Sequence, residues 1–215
     1  MKSDHTHPQT RGDTIHWARW YDLLTTAVLL GKERALREMM VEMAAIKPGD
    51  TVLDVGCGTG NLTLAAHAQA GEAGEVHGID AAPEMVEAAR SKTGGSETAV
   101  DFQVGLIEEL PFPDDYFDVV LSSLMIHHLP DDLKRDGFAE SRRVLKPDGH
   151  LFSIDFEPPT NPLVRHLLAF AFSPGMTEVD VREYVSMMKE AGFKQVETGK
   201  TNFRYVSFVR GNKDN

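Results

Sequence analysis

Residues 51–61 read TVLDVGCGTGN: a short apolar run carries Asp54 into a loop where Gly56, Gly58 and Gly60 alternate with residues bearing side chains. Glycine accepts positive φ and has no Cβ to hold a small molecule at a distance. A strand that breaks into such a loop and re-forms as a helix therefore makes a seat for a ligand, with its backbone N–H groups expected to face outward. The spacing is G-x-G-x-G, not the G-x-G-x-x-G of the dinucleotide fingerprint, whose loop meets a pyrophosphate. The loop thus disfavours a nicotinamide-dependent oxidoreductase, and no partner for hydride transfer is recognisable elsewhere in the chain.

After the loop, NLTLAAHAQA has the helical period, and the next apolar run, EVHGID, ends on Asp80. A carboxylate at the end of a second strand can accept hydrogen bonds from both ribose hydroxyls of a nucleoside. Pro83 then opens the helix PEMVEAARSK, since a proline at the first helical position gives up only an N–H that has no partner there. Strands are expected over residues 51–55, 75–79, 100–104, 118–122 and 150–156, alternating with helices, which is the doubly wound α/β pattern with a parallel sheet. The tail departs from it. A helix over 178–191 stops at Gly192, and two strand-like runs, KQVET and FRYVSFV, are close enough to form an antiparallel hairpin. Upstream, helices are expected over 16–30 and 32–46, before Pro48-Gly49-Asp50 turns the chain into the first strand. Residues 1–13, polar and broken by Pro8 and Gly12, are expected to be disordered.

With 215 residues, 41% of them hydrophobic and 26% charged, the chain can bury the core of one domain with a small cap. The net charge of -11 argues against a nucleic-acid backbone as partner, because that contact needs clustered Lys and Arg. No apolar run approaches the ~18 residues of a membrane span, and the first residues lack an apolar signal core, so no integral membrane segment and a cytoplasmic location are expected. The single cysteine, Cys57, cannot form an internal disulfide. It is expected to pack as a small residue, in a place where the following helix N-terminus would lower its thiol pKa. His5, His7 and the other histidines show no recurring ligand spacing, so no metal site is expected.

The segments DVGCGTGN at 54–61, GIDAAPEM at 78–85, GLIEELPFPDDYFDVVLSS at 105–123, HHLPD at 127–131 and VLKPDG at 144–149 together resemble the class I S-adenosylmethionine-dependent methyltransferases. Within these the chain is most similar to the ubiquinone/menaquinone-biosynthesis-like small-molecule group, methyltransferase type 11. The resemblance runs from about residue 21 to residue 149 and is looser beyond. It implies a Rossmann-like, mostly parallel seven-stranded sheet with a C-terminal antiparallel hairpin and an N-terminal helical cap. The chain would then divide into a tail (1–13), a cap (14–46) and an S-adenosylmethionine-binding domain (47–215).

The same resemblance assigns roles. Asp54 and the loop of Gly56, Cys57, Gly58, Thr59 and Gly60 would hold the methionine end of S-adenosylmethionine. Asp80, with Ala81 and Met85 beside it, would take the ribose. The segment after the third strand would take the adenine, and Ser122 and Tyr21 would complete the cofactor site. The chain departs from the family at Leu106, where an acidic residue usually accepts from the adenine amino group. Either apolar contact and the backbone of Leu106 and Ile107 hold the ring, or Glu108 supplies the carboxylate.

Methyl transfer to an acceptor that is already nucleophilic needs alignment more than acid–base chemistry. A carbon or phenol acceptor must also lose a proton. His127 and His128, just after the fourth strand, are the candidates for taking it, and His127 is the catalytic residue expected. Trp17, Trp20 and Tyr21, and the run NPLVRHLLAFAF over 161–172, could cover a small apolar or aromatic acceptor. They could equally be core or a homodimer contact. The competing reading is a cofactor-binding regulator or subunit without catalysis, which Leu106 keeps open.

Overall fold

Seven strands form one sheet: β1 (Thr51–Val55), β2 (Glu75–Asp80), β3 (Val100–Val104), β4 (Phe117–Ser123), β5 (Leu145–Phe156), β6 (Lys194–Lys200) and β7 (Val206–Asn212). They lie in the order β3-β2-β1-β4-β5-β7-β6. The structure is a computed structural model and describes residues 10–12, 31–93, 100–157 and 181–214. The helix expected over 16–30, with Trp17, Trp20 and Tyr21, and the apolar run 161–172 lie outside the described residues.

β1 runs parallel to β2 and β4, β2 to β3, and β4 to β5. β7 is inserted antiparallel between β5 and β6. This is the doubly wound sheet with an antiparallel C-terminal pair that the sequence leads one to expect. The described helices are α1 (Glu33–Met43), α2 (Asn61–Ala70), α3 (Pro83–Lys92), α4 (Asp131–Val144) and α5 (Val181–Glu190).

Successive residues of a strand point to opposite faces, so the central strands feed two cores. Leu53, Val55, Val120 and Leu151 pack with Phe138 of α4 and with Tyr184 and Met188 of α5. Val52, Val119, Leu121 and Phe152 pack with Leu36 and Met40 of α1 and with Leu62 and Ala66 of α2. β1 is buried from its second residue to its last, which is why it reads as a continuous apolar run interrupted only by Asp54.

Element boundaries move where the backbone turns sharply. β5 begins at Leu145, not His150: Leu145 pairs with Phe117, pairing resumes at Val119 with His150, and the residues between form a bulge with Asp148 at φ 65°. β7 begins at Val206, not Phe203, because Tyr205 takes φ 64° and the Thr201 hydroxyl donates to the Val206 carbonyl at 2.7 Å, closing a turn there. α1 stops at Met43, short of Ile46, and Ala45 takes φ 54°.

Candidate functional site

The chain leaves β1 for β2 and β3 on one side and returns to β4 on the other. The carboxyl ends of these strands therefore open onto a crevice at the switch in strand order. A cleft lies there, with Gly56 and Gly58 of the glycine loop, Asp80, Ala81, Met85, Leu106, Ile107 and Glu108 in its wall. Gly105, Met125 and His128 also line it, and Thr10 and Gly12 close its rim.

The loop is built from positive φ: Gly56 at 72°, Gly58 at 54° and Gly60 at 79°. A Cβ on Gly56 would lie 2.4 Å from Cγ of Met125, and one on Gly60 would lie 2.6 Å from Cζ of Phe102, so glycine is required at both for space as well as for conformation. The N–H groups do not face outward as expected. Those of Gly56 and Cys57 both donate to the Ile79 carbonyl, at 2.9 and 2.8 Å, and that of Gly60 to the Cys57 carbonyl at 2.9 Å. The N–H of Gly58 donates to Oδ2 of Asp80 at 2.9 Å. The loop spends these donors stitching itself to β2. A diphosphate would need those N–H groups, so this loop is not built as a pyrophosphate seat.

Of the two strand-end carboxylates, Asp54 is buried and does not line the cleft, while Asp80 is half-buried and does. Asp54 is 1% exposed; its Oδ2 accepts from the Thr63 hydroxyl at 2.7 Å, and its Oδ1 has no partner among the described residues. Burial, reinforced by the charge of Asp80, pushes the Asp54 pKa up to about 7 against the pull of the Thr63 hydrogen bonds. Asp80 accepts from Ala82 N–H through Oδ1 at 2.9 Å, the Asx-type turn that leads into Pro83 at the start of α3. Its pKa is raised by burial and by the charge of Glu84, and held back by the N–H groups of Ala82 and Gly58. Cys57 corrects an expectation: burial and the charges of Asp54 and Asp80 push its thiol well above the usual range, the reverse of a helix-lowered thiol.

The carboxylates of Asp80 and Glu108 in the cleft wall, and the absence of lysine or arginine among its described lining residues, suit a cationic ligand. The cofactor implied by the resemblance carries a sulfonium and an ammonium at its methionine end. The unpartnered Oδ1 of Asp54 and the bare turn at Gly56 and Gly58 fit that group.

Other expected residues sit elsewhere. Cys57, Thr59 and Gly60 are buried behind the loop and do not line the cleft. Ser122 is buried with its hydroxyl unpartnered among the described residues, and its neighbour Ser123 lines the cleft instead. Tyr21 lies outside the described residues. Leu106 and Ile107 form an apolar wall, and Glu108 accepts from the Thr10 hydroxyl at 2.8 Å across the rim. His127 is within the short 3-10 turn Ile126–His128 after β4; its side chain is 4% exposed, and Nδ1 lies 2.7 Å from Oδ1 of Asp155. The ring centroids of His127 and His128 are 4.0 Å apart, and His128 is the one that lines the cleft.

Sequence reasoning missed the clamp beneath the Leu106–Ile107 wall. Arg143 of α4 donates to the carbonyls of Leu110 and Phe112, at 2.9 and 2.8 Å, and to Asp114 at 2.8 Å, while Glu140 accepts from Leu110 N–H at 2.9 Å. It also missed Asp155, although that residue is next to last in β5 as Asp54 and Asp80 stand at or near the ends of β1 and β2. Among the described residues no group of three or more His, Cys, Asp or Glu is placed to hold a metal ion, and no helix is long and apolar enough to cross a membrane.

A family model described as a methyltransferase domain matches residues 52–149. The chain is 37% identical over 154 residues to the ubiquinone/menaquinone biosynthesis C-methyltransferase UbiE of Citrifermentans bemidjiense, a match spanning 71% of this chain and 65% of that protein, just under two thirds of its length. It is 30% identical over 217 residues to the protein of the same name from a Shewanella species, spanning 90% of this chain and 86% of the other. A S-adenosylmethionine-dependent methyltransferase from Aquifex aeolicus superposes with a TM-score of 0.68 at 24% identity, over 93% of this chain and 99% of that one, which is a likeness of fold.

Proposed function

The chain belongs to the class I S-adenosylmethionine-dependent methyltransferases of the ubiquinone/menaquinone-biosynthesis type, and we propose from that membership that it transfers a methyl group to a small, apolar or aromatic acceptor. The relatives named above are called C-methyltransferases of quinone biosynthesis, and a reduced quinone ring has the size and chemistry this reading calls for. The observation that carries it is the cleft itself: Asp80 and Glu108 in its wall, the buried unpartnered Oδ1 of Asp54 just ahead of the glycine loop, an apolar far wall, loop N–H groups already engaged, and no lysine or arginine among the described lining residues.

When bound, S-adenosylmethionine supplies an electrophilic methyl group on a sulfonium. Asp54 and the Gly56–Gly58 turn would hold its methionine end, Asp80 would accept from the ribose hydroxyls, and Leu106, Ile107 and Glu108 would flank the adenine. These residues fix position and exclude water, and alignment supplies most of the rate. For an acceptor that must lose a proton, His127 takes it at Nε2, since Nδ1 is turned onto Asp155. His128 forms the neighbouring wall of the cleft.

Calorimetric titration with S-adenosylmethionine and with NAD, followed by a screen of hydroquinones and phenols with mass detection of the methylated product, tests this. Binding of S-adenosylmethionine alone, with product formed, is expected. Preference for NAD would sink the cofactor assignment, and tight binding with no product across the screen would favour a non-catalytic subunit.

A further inference from the structure

Asp155, the penultimate residue of β5, gathers four polar contacts on one carboxylate that is 1% exposed. Its Oδ1 lies 2.7 Å from Nδ1 of His127 and accepts from Phe156 N–H at 2.8 Å. Its Oδ2 accepts from the backbone N–H of His127 at 3.0 Å and from the Tyr184 hydroxyl at 3.1 Å. One side chain thus grips a single histidine twice, through its main chain and through its ring. Resting on the reading of His127 as the proton acceptor, we propose that Asp155 is its positioning residue, fixing the tautomer in which Nδ1 carries the hydrogen and Nε2 the lone pair, with Tyr184 anchoring the carboxylate from α5.

An ionised carboxylate only accepts hydrogen bonds, and an Nδ1 contact of 2.7 Å onto it requires a hydrogen on Nδ1. A neutral ring then has its one acceptor at Nε2. The two backbone N–H groups and the phenol all donate to Asp155, so its carboxylate is surrounded by donors. Burial and the nearby charge of Asp155 push the Tyr184 phenol above its ordinary range, so Tyr184 remains a donor. Rotation of the ring is hindered by tilted contact with His128, with centroids 4.0 Å apart, and by the edge of Phe156 at 5.4 Å. A carboxylate needed only to cap the short turn after β4 would accept the His127 N–H and have no use for the ring; here the ring contact is the shortest of the four.

The test reads the tautomer directly, in the full chain, from the nitrogen-15 shifts of His127, assigned with His127→Gln as the blank. Hydrogen on Nδ1 is expected in the wild type. Asp155→Asn should erase that preference and lower kcat by about 30-fold or more, with KM for cofactor and acceptor within about threefold. Tyr184→Phe, a milder change that removes one hydroxyl, should keep the tautomer and lower kcat only a few-fold, so the proposal stays testable if Asp155→Asn does not fold. Hydrogen on Nε2 in the wild type, or a tautomer unmoved in folded Asp155→Asn, overturns it. If the tautomer behaves as stated while His127→Gln turns over normally, Asp155 does position the ring and it is the assignment of His127 as the base that fails.

Discussion

Asp80 and Gly58 are joined by a 2.9 Å hydrogen bond from the glycine N–H to Oδ2, so the carboxylate at the end of β2 and the middle of the loop after β1 move as one unit. Any change at Asp80 is therefore felt at both ends of the cleft. Asp80→Ala should weaken S-adenosylmethionine binding by roughly 2 to 3 kcal/mol, from lost ribose contacts and a Gly58 N–H left without its acceptor. Asp80→Asn, which keeps an acceptor for Gly58, should lose less. Equal affinities for wild type and Asp80→Ala in a calorimetric titration would remove Asp80 from the site.

The loop glycines should separate binding from stability. Gly58→Val places a β-branched residue at φ 54°, in the cleft wall, and should abolish cofactor binding. Gly60→Ala instead drives a Cβ toward the Phe102 ring behind the loop and should cost about 1 to 3 kcal/mol of fold stability. Denaturant melts beside titrations decide whether the two effects part in this way.

Asp54 should make both binding and stability depend on pH. Its folded pKa is raised to about 7 from 3.8, so the folded state holds a proton that the unfolded chain has released across that window. The contribution of Asp54 to stability is therefore greatest below pH 3.8 and declines as the pH rises toward 7. Asp54→Asn should flatten the fall. A cationic ligand favours the carboxylate, so S-adenosylmethionine should drive a proton off near pH 7; binding heats that do not vary with buffer ionisation enthalpy would refute this.

His127 and His128 can be told apart by rate. His127→Ala should lower turnover by about two orders of magnitude or more while cofactor affinity stays within a few-fold. His128→Ala, which alters the cleft wall, should act mainly on acceptor KM. The reverse pattern would move the base to His128.

Arg143 offers a control away from the crevice. Arg143→Lys cannot reproduce the forked contacts to Leu110, Phe112 and Asp114, and should loosen the loop that follows the Leu106–Ile107 wall. The expected signs are faster amide exchange over residues 106–114 and a few-fold loss in cofactor affinity. Unchanged exchange would show that the loop holds its shape without the clamp.

The sheet and the glycine-loop end of the crevice are legible because their signals are local. A glycine loop directly follows an apolar strand, and an aspartate ends the next. What stayed hidden depends on distant parts of the chain meeting. The Ile79 carbonyl that consumes the loop N–H groups lies on another strand, and Tyr184 reaches Asp155 only after α5 folds back over β5. The early start of β5 was masked because Pro147 and Asp148 read as a turn, and the bulge lets the strand run through them. Cys57 misled for a related reason: proximity to a helix N-terminus is visible in sequence, whereas burial beside two carboxylates is not.

The hydrogen bond between Thr10 and Glu108 ties residues 10–12 to the rim of the cleft, and Arg11 reinforces it with an ion pair to Asp132. An affinity tag fused ahead of residue 1 would thus pull on a strand of chain that borders the ligand entrance. Kinetic constants from amino-terminally and carboxyl-terminally tagged forms are then not interchangeable, and the carboxyl-terminal form, with Asn212 at the end of β7 paired to His150 away from the Asp155 end of β5, is the safer reference.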